Sequence, residues 1–312
     1  MFRYLVRRIL QMILAFFGTT LIIYALIFAA QNDPIQALAG EKPVSAAQRA
    51  YLTEKFHLDK TGIGGFFYRY WDYVSHLLRG DLGQNLNGRP ISDILASAWP
   101  YTIRMALFAM VFVILFGVTA GVISGIKKGG WFDRTSFLLS LLLIGIPVLA
   151  LALILQYVVG YKLGWFPASY TDDQPIASMI LPAFVLGALS LATALRLTST
   201  SVRENLGADY VRTATSKGLS RNRVLGAHVL RNSLIPVITF LGVELGNLMA
   251  GAIITENIYN VKGVGFNLAL AIKQEDGPTV VGIVSVLVVI FLVANLIVDL
   301  LYAVLDPRIR YS

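Results

Sequence analysis

The sequence contains no cysteine and few charged residues. None of its 312 residues is cysteine, which excludes disulfide bonds, thiolate metal sites and cysteine nucleophiles but leaves the cellular compartment open. Only 14% of the residues are charged, against roughly a quarter in soluble domains. Because 56% are hydrophobic and apolar stretches recur along almost the whole chain, the composition predicts one membrane unit.

The sequence also lacks the motifs of nucleotide hydrolysis and of intramembrane catalysis. It has no Gly-Lys dipeptide, so it cannot form a standard phosphate-binding P-loop. Neither H-E-x-x-H nor G-x-S-x-G occurs, which argues against an intramembrane hydrolase. His57 and His76 have no partner at ligand spacing. We therefore predict no catalytic residue, no metal site and no cofactor bound by this chain.

Six stretches are long and apolar enough to cross a bilayer, which needs about 20 residues as a helix. They are Ile9–Ala30, Met105–Ile126, Thr135–Tyr161, Gln174–Leu195, Asn232–Thr255 and Gly277–Val298. Each is expected to be helical, because backbone groups inside a membrane must pair within their own segment.

The charges are distributed unevenly between the two sides of these six spans. If the N-terminus is cytoplasmic, the inside segments hold 15 of the 26 lysines and arginines and only four acidic residues. The outside segments hold the other 11 basic residues and 12 acidic residues. This bias satisfies the positive-inside rule and places both termini in the cytoplasm. The net charge of +8 therefore does not indicate a nucleic-acid partner.

Residues 31–104 form the longest segment between spans, and we expect a small extracytoplasmic insertion there. Ser45 begins a predicted helix over Ser45–Phe56, and Phe66–Leu78 is aromatic and amphipathic, as in a helix at a membrane surface. The predicted organisation is residues 1–30 for the N-terminus and first span, 31–104 for the insertion, and 105–312 for a five-helix core.

Small residues and prolines mark particular positions within the spans. Gly117, Gly121 and Gly125 recur every four residues, which places them on one helix face and predicts close packing with another helix. Pro147 and Pro182 lie inside the third and fourth spans, where the missing backbone N–H groups favour kinks.

One carboxylate lies in the middle of a predicted span. Glu244 has no basic partner in any span, and an unpaired carboxylate in a membrane is costly, so it should face other helices or water. Two roles are open for it: a residue of the transport path or gate, together with Asn247, or a protonated or paired structural acid.

The inside segment 196–232 carries seven basic residues and a pattern of two short helices. Asp209 and Ser220 are predicted to cap these helices, and Gly218 to end the first one. The apolar positions are Tyr210, Val211 and Ala214 in the first helix and Val224 and Ala227, beside His228, in the second. Because a solvated basic loop needs neither caps nor an apolar face, the pattern predicts a docking surface.

The same region resembles a known family. The residues from Asp209 to Leu219, followed by His228, Arg231-Asn232 and Leu234-Ile235-Pro236, are similar to the cytoplasmic loop of ABC-importer permeases of the peptide and nickel branch. The resemblance extends over nearly the whole chain. It includes Tyr4-Leu5-Val6-Arg7-Arg8, Asn32-Asp33-Pro34, Gly80-Asp81-Leu82-Gly83, Thr255-Glu256-Asn257-Ile258-Tyr259, Gly263-Val264-Gly265 and the ending from Asp299 to Arg308.

The resemblance implies an all-α integral membrane protein with six transmembrane helices of the type I ABC importer permease kind. Such a chain pairs with a second, homologous permease subunit, two cytoplasmic ATPase subunits that bind ATP and Mg²⁺, and an extracytoplasmic substrate-binding protein. It lies in the bacterial plasma (inner) membrane. The segment from Asp209 to Gly218 would be the coupling helix that docks on the ATPase. The docking residues implied are Asp209, Tyr210, Val211, Arg212, Thr213, Ala214, Lys217, Gly218 and Arg221.

Di- or oligopeptides are the expected substrates. The general family signature has Glu-Ala-Ala where this chain has Arg212, Thr213 and Ala214, and the peptide branch commonly shows such a change. A nickel or metal-chelate permease of the same family is the first alternative. The second is an ion-driven secondary transporter, in which Glu244 would carry the proton.

Overall fold

The computed structural model of the chain describes residues 2–28, 45–46, 53, 62–250 and 252–305. Every named element in these ranges is helical, and one isolated antiparallel bridge joins Gln84 and Pro90. The all-helical prediction is confirmed for this part of the chain. His57 and most of the predicted helix over Ser45–Phe56 lie outside the described residues.

We number the helices in chain order. They are α1 (Phe2–Phe28), α2 (Gly62–Leu78), α3 (Ile91–Ile126), α4 (Trp131–Gly145), α5 (Val148–Lys162), α6 (Ala177–Leu206), α7 (Asp209–Ser216), α8 (Arg221–Met249), α9 (Ile253–Ile258), α10 (Val264–Lys273) and α11 (Gly277–Leu305). By length and composition, α1, α3, α6, α8 and α11 can each cross a membrane, and α4 with α5 makes a sixth span if the bent pair is counted as one.

The third predicted span is broken rather than continuous. The chain bends by 105° between α4 and α5, at Ile146 and Pro147. Ile146 is extended, with φ −89° and ψ 123°, as expected for a residue that precedes proline. Pro147 therefore ends one helix, whereas α6 runs through Pro182 without interruption.

Several helices are longer than the predicted spans, and α6 continues to Leu206, beyond the predicted end at Leu195. α3 begins at Ile91, well before the expected start at Met105. The predicted second short helix after Ser220 does not stand alone, because Arg221–Arg223 continues through a π-helical segment, Val224–Leu230, into the helix that carries Glu244. The basic residues of this segment thus extend a membrane helix instead of forming a separate element.

The chain divides into two compact units. The first consists of Met1–Tyr101 and Lys262–Val293. Within it, α2 packs against α1 and α11 through a buried cluster of Tyr24, Tyr70, Val74 and Val281.

The second unit, Thr102–Val261 and Ala294–Ser312, is built around α6. The predicted glycine face of α3 lies against this helix. A Cβ atom added at Gly117 would lie 2.8 Å from the Leu191 carbonyl oxygen, and one at Gly121 would lie 2.6 Å from Thr198 Cβ. Gly125 is equally crowded. The close packing predicted from the glycine spacing is confirmed, because no larger side chain fits at these positions.

Candidate functional site

The helix predicted to dock on a partner is present as α7, Asp209–Ser216. Asp209 does not cap it. The N-cap is Ala208, no side chain bonds to the free N–H groups, and Asp209 is instead the first helical residue. Its carboxylate is almost fully exposed and lies 3.7 Å from the Arg212 guanidinium. A negative charge in the first turn still interacts favourably with the helix dipole.

The apolar underside of α7 is buried within this chain. Val211 and Ala214 are 7% and 6% exposed and share one cluster with Val202 of α6 and with Val224 and Val229 of α8. The exposed docking contact predicted for Val211 and Ala214 is therefore corrected: both side chains are taken up by the chain's own core, because the helix needs an apolar anchor to stay in place.

The other predicted docking residues lie on the exposed side of the same short segment. Tyr210 is 38% exposed, and its hydroxyl group donates a hydrogen bond to the Asn205 side chain. The exposed set is Asp209, Tyr210, Arg212, Thr213, Lys217, Gly218 and Arg221. The structure thus brings these seven residues together as one polar surface above the Val211 and Ala214 anchor.

Gly218 ends α7 as the sequence predicts. Its φ angle is +78°, in the left-handed region that glycine adopts at little cost. The Leu219 N–H bonds to the Ala214 carbonyl at 3.3 Å and the Gly218 N–H to the Thr215 carbonyl at 2.9 Å. These two bonds form a Schellman motif, which satisfies the last carbonyl groups and turns the chain towards α8.

A partly buried polar network holds the end of α6 just before α7. Arg203 of α6 forms an ion pair with Asp133 of α4, and Asp133 also accepts hydrogen bonds from the Ser124 hydroxyl and, at 2.8 Å, from the Gly129 N–H. Ser124 lies 3.1 Å from the hydroxyl of Ser199 on α6. The sequence shows Asp133 and Arg203 only as charges on the same predicted side, and nothing in it indicates this pairing.

Glu244 and Asn247 form a separate site within α8. The Glu244 carboxylate accepts a hydrogen bond from the Ser190 hydroxyl of α6 and another from the Asn247 amide at 3.2 Å. Glu244 is half-buried, Ser190 is buried and Asn247 is exposed. The hydrogen bond from Ser190 joins α6 to α8, and the Asn247 amide binds the same carboxylate from within α8.

A second acid, which sequence reasoning did not single out, is fully buried near the α8–α9 junction. Glu256 is 0% exposed and accepts a hydrogen bond of 2.6 Å from the Thr102 hydroxyl. Next to it, the Tyr259 hydroxyl donates to the Ala152 carbonyl at 3.0 Å. Burial raises the pKa of Tyr259 above its ordinary value. Among the described residues, no group of three or more His, Asp or Glu side chains could hold a metal ion.

Comparison with known proteins identifies the family. Residues 117–311 match the family described as the binding-protein-dependent transport system inner membrane component. The chain is 35% identical over 340 residues to the dipeptide transport system permease protein DppB of Alkalihalophilus pseudofirmus and 36% identical over 339 residues to the di/tripeptide transport system permease protein DppB of Pseudomonas aeruginosa. It is 33% identical over 314 residues to the glutathione transport system permease protein GsiC of Escherichia coli.

Each of these three alignments covers 100% of this chain and 100% of the relative. The relatives are transport system permease proteins, and the matched family is an inner membrane component. This membrane protein belongs to the family of binding-protein-dependent transport system inner membrane components.

Proposed function

We propose that this chain is the permease subunit of an ATP-driven importer of di- or oligopeptides. The proposal rests on its family and on the names of its relatives, which carry dipeptides, di- and tripeptides, and glutathione. The chain forms half of the translocation path, beside a second homologous permease subunit. It is not an enzyme: two cytoplasmic ATPase subunits bind ATP and Mg²⁺, and an extracytoplasmic binding protein delivers the peptide.

One observation supports the coupling role: one side of α7 is buried against its own chain, and the other side is exposed. Val211 and Ala214 tie it to α6 and α8, two helices that are long and apolar enough to cross the membrane. Any displacement of α7 by a partner is therefore passed to both helices, because packed side chains resist compression.

The exposed surface of α7 has the chemistry of a docking site on a cytoplasmic partner. Arg212, Lys217 and Arg221 offer positive charge, Asp209 offers negative charge, and Tyr210 offers an aromatic ring, a residue type enriched at protein interfaces. In this proposal the seven exposed residues touch the ATPase, and Val211 and Ala214 act as the anchor beneath them.

Cysteine cross-linking tests this placement, and the chain supplies no competing thiol. Thr213→Cys in the assembled complex should link to ATPase lysines through a maleimide–succinimide reagent, since Thr213 is exposed. Ala214→Cys is the matched control, because the neighbouring side chain is buried and should not react. Linkage of Thr213→Cys to the binding protein, or to no subunit, would contradict the proposed docking site.

The orientation follows from the same proposal: α7 and both termini are cytoplasmic, in the plasma membrane of a bacterium. A membrane-impermeant maleimide should label Ser216→Cys, whose parent side chain is exposed, in inside-out vesicles. Labelling in intact spheroplasts instead would reverse the orientation.

Glu244 and Asn247 are proposed to line the path, since Glu244 is only half-buried and Asn247 is exposed. Glu244→Gln keeps an acceptor for the Ser190 hydroxyl and removes the charge. We expect this variant to lose peptide uptake several-fold while keeping the unfolding temperature of the parent complex. Unchanged uptake across the pH range of activity would assign Glu244 a structural role only.

A further inference from the structure

Helix α2 lies beside a membrane span, although its residues belong to the segment predicted to lie outside the membrane. The Tyr70 hydroxyl donates a hydrogen bond of 3.1 Å to the Phe17 carbonyl and lies 2.9 Å from the Thr20 hydroxyl. The Trp71 ring is 5.6 Å from the Phe17 ring. Farther along α1, the Phe66 and Tyr24 rings pack edge to face, with their centroids 5.6 Å apart.

These contacts measure how deep α2 lies. The candidate membrane span of α1 is Val6–Ile27, so Phe17 lies near its middle. Tyr24 is about 10 Å from Phe17 along the helix, at 1.5 Å per residue. α2 therefore runs beside α1 from a level near the end of the span to a level near its centre.

The last span gives an independent measure of the same depth. The Tyr73 hydroxyl donates to the hydroxyl of Ser285 at 2.7 Å, and Val74 packs against Val281. Both partners lie several residues inside α11, whose apolar part is Gly277–Leu296. α1 and α11 thus place α2 within the thickness of the membrane.

One side of α2 is largely exposed in the part of the chain that the structure describes. A stripe of bulky apolar side chains is exposed on it: Ile63 at 81%, Phe67 at 46%, Trp71 at 57% and Leu78 at 72%. The opposite side carries polar groups, where the His76 ring lies 3.8 Å from the Asp72 carboxylate and 3.1 Å from that of Asp81. An apolar stripe opposite a polar one is typical of helices that lie in a membrane interface.

The shape of the stripe favours lipid over another protein chain. Contacts between membrane helices are enriched in small residues, as on the glycine face of α3, where Gly121 touches α6. The α2 stripe contains an isoleucine, a phenylalanine, a tryptophan and a leucine, with Tyr68 next to it. Large aromatic residues are enriched where proteins meet the boundary between lipid chains and water.

We propose that α2 is embedded in one leaflet of the bilayer and that Ile63, Phe67, Trp71 and Leu78 contact lipid acyl chains. The insertion after the first span is thus anchored in the membrane by its own helix. This inference does not depend on which solute the complex carries.

Tryptophan fluorescence in the reconstituted complex tests the lipid contact. Trp99, Trp131 and Trp165 of this chain are replaced by phenylalanine, partner tryptophans are silenced in the same way, and Trp71 is kept. Trp71 should lose most of its emission in lipids brominated in the acyl chains and little on addition of acrylamide in the aqueous phase. Strong quenching by acrylamide would show a water-exposed helix, and protection from both quenchers would show a protein partner; either result overturns the proposal.

Two single-cysteine variants provide a second measurement if the single-tryptophan chain does not assemble. A charged maleimide should label His76→Cys, on the polar side, and leave Phe67→Cys unlabelled, because a thiol among acyl chains stays protonated and out of reach of the reagent. Equal labelling of the two variants would contradict the embedded position.

Discussion

Gly218 shows how a single residue can place the candidate docking surface. Its positive φ angle closes α7 and sends the chain into α8. For an L-residue with a Cβ atom, this conformation costs about 1–2 kcal/mol of conformational energy, and the cost is smaller for asparagine. The position could be predicted from the sequence, because a glycine at the end of an amphipathic segment is a local signal.

Replacing Gly218 should therefore uncouple the complex in a graded manner. Gly218→Val places a β-branched residue at a φ of +78° and should abolish most peptide uptake while leaving ATP hydrolysis by the partners. Gly218→Asn should keep most of the uptake. Gly226→Ala serves as the control, since a Cβ atom there meets nothing within 4 Å. Wild-type uptake by the valine variant would count against the role given to this turn.

Unlike the role of Gly218, the pairing of Asp133 with Arg203 could not be predicted from the sequence. The two residues are 70 positions apart, and only tertiary packing brings them into contact. We expect Asp133→Asn and Arg203→Gln each to lower stability by about 1–3 kcal/mol, since hydrogen bonds between charged and partly buried groups are strong. The double variant should be no less stable than either single one. Thermal unfolding of the purified complex provides the measurement.

The exposed ion pair on α7 supplies the control for the comparison of single and double variants at Asp133 and Arg203. Arg212 and Asp209 are 78% and 97% exposed, so Arg212→Gln should change stability by less than about 1 kcal/mol. Fully additive losses at Asp133 and Arg203 would mean that the two side chains do not act together.

At the scale of whole helices, runs without charge locate most of the spans, but not their junctions. α1 and α11 overlap the predicted intervals closely, whereas α6 continues to Leu206, past the predicted end at Leu195. Pro147 indicates a kink, yet the 105° angle depends on packing that one chain segment does not encode. The continuity of α8 was missed, because the basic residues after Ser220 resemble a loop, whereas the structure keeps Val224 and Val229 buried in the same helix that carries the fifth span.

The contact of α3 with α6 gives the prediction at this scale. Gly121→Leu forces a side chain into a space where even Cβ lies 2.6 Å from Thr198 and 2.7 Å from the Leu195 carbonyl. Overpacking of this kind costs about 1–3 kcal/mol or more, so the variant should unfold at lower temperature or fail to assemble. Gly145→Leu is the control, because a Cβ atom there has no neighbour within 4 Å. Equal stability of the two variants would contradict the close contact.

At the scale of the whole molecule, the chain combines apolar helices with an exposed helix, α7, that is anchored on two of them. Its alignment with a transport system permease protein covers the full length of both chains. Its membrane character could be predicted from composition alone. The anchoring of α7 through Val211 and Ala214 could not, because an apolar helix face in a sequence is compatible with a partner as well as with the chain's own core. The direction of transport, the energy source and the solute are properties of the complex.

Uptake by liposomes tests ATP-driven import of peptides most directly. The chain is reconstituted with its permease partner, ATPases and binding protein, and a mixed peptide pool is offered with and without ATP, before and after the proton gradient is dissipated. Mass spectrometry of the liposome contents should show di- or oligopeptides accumulating only with ATP and unaffected by loss of the gradient. ATP hydrolysis without peptide uptake would replace the peptide with another solute, such as a nickel chelate. Uptake that persists without ATP and stops when the gradient collapses would contradict the account and identify an ion-driven transporter.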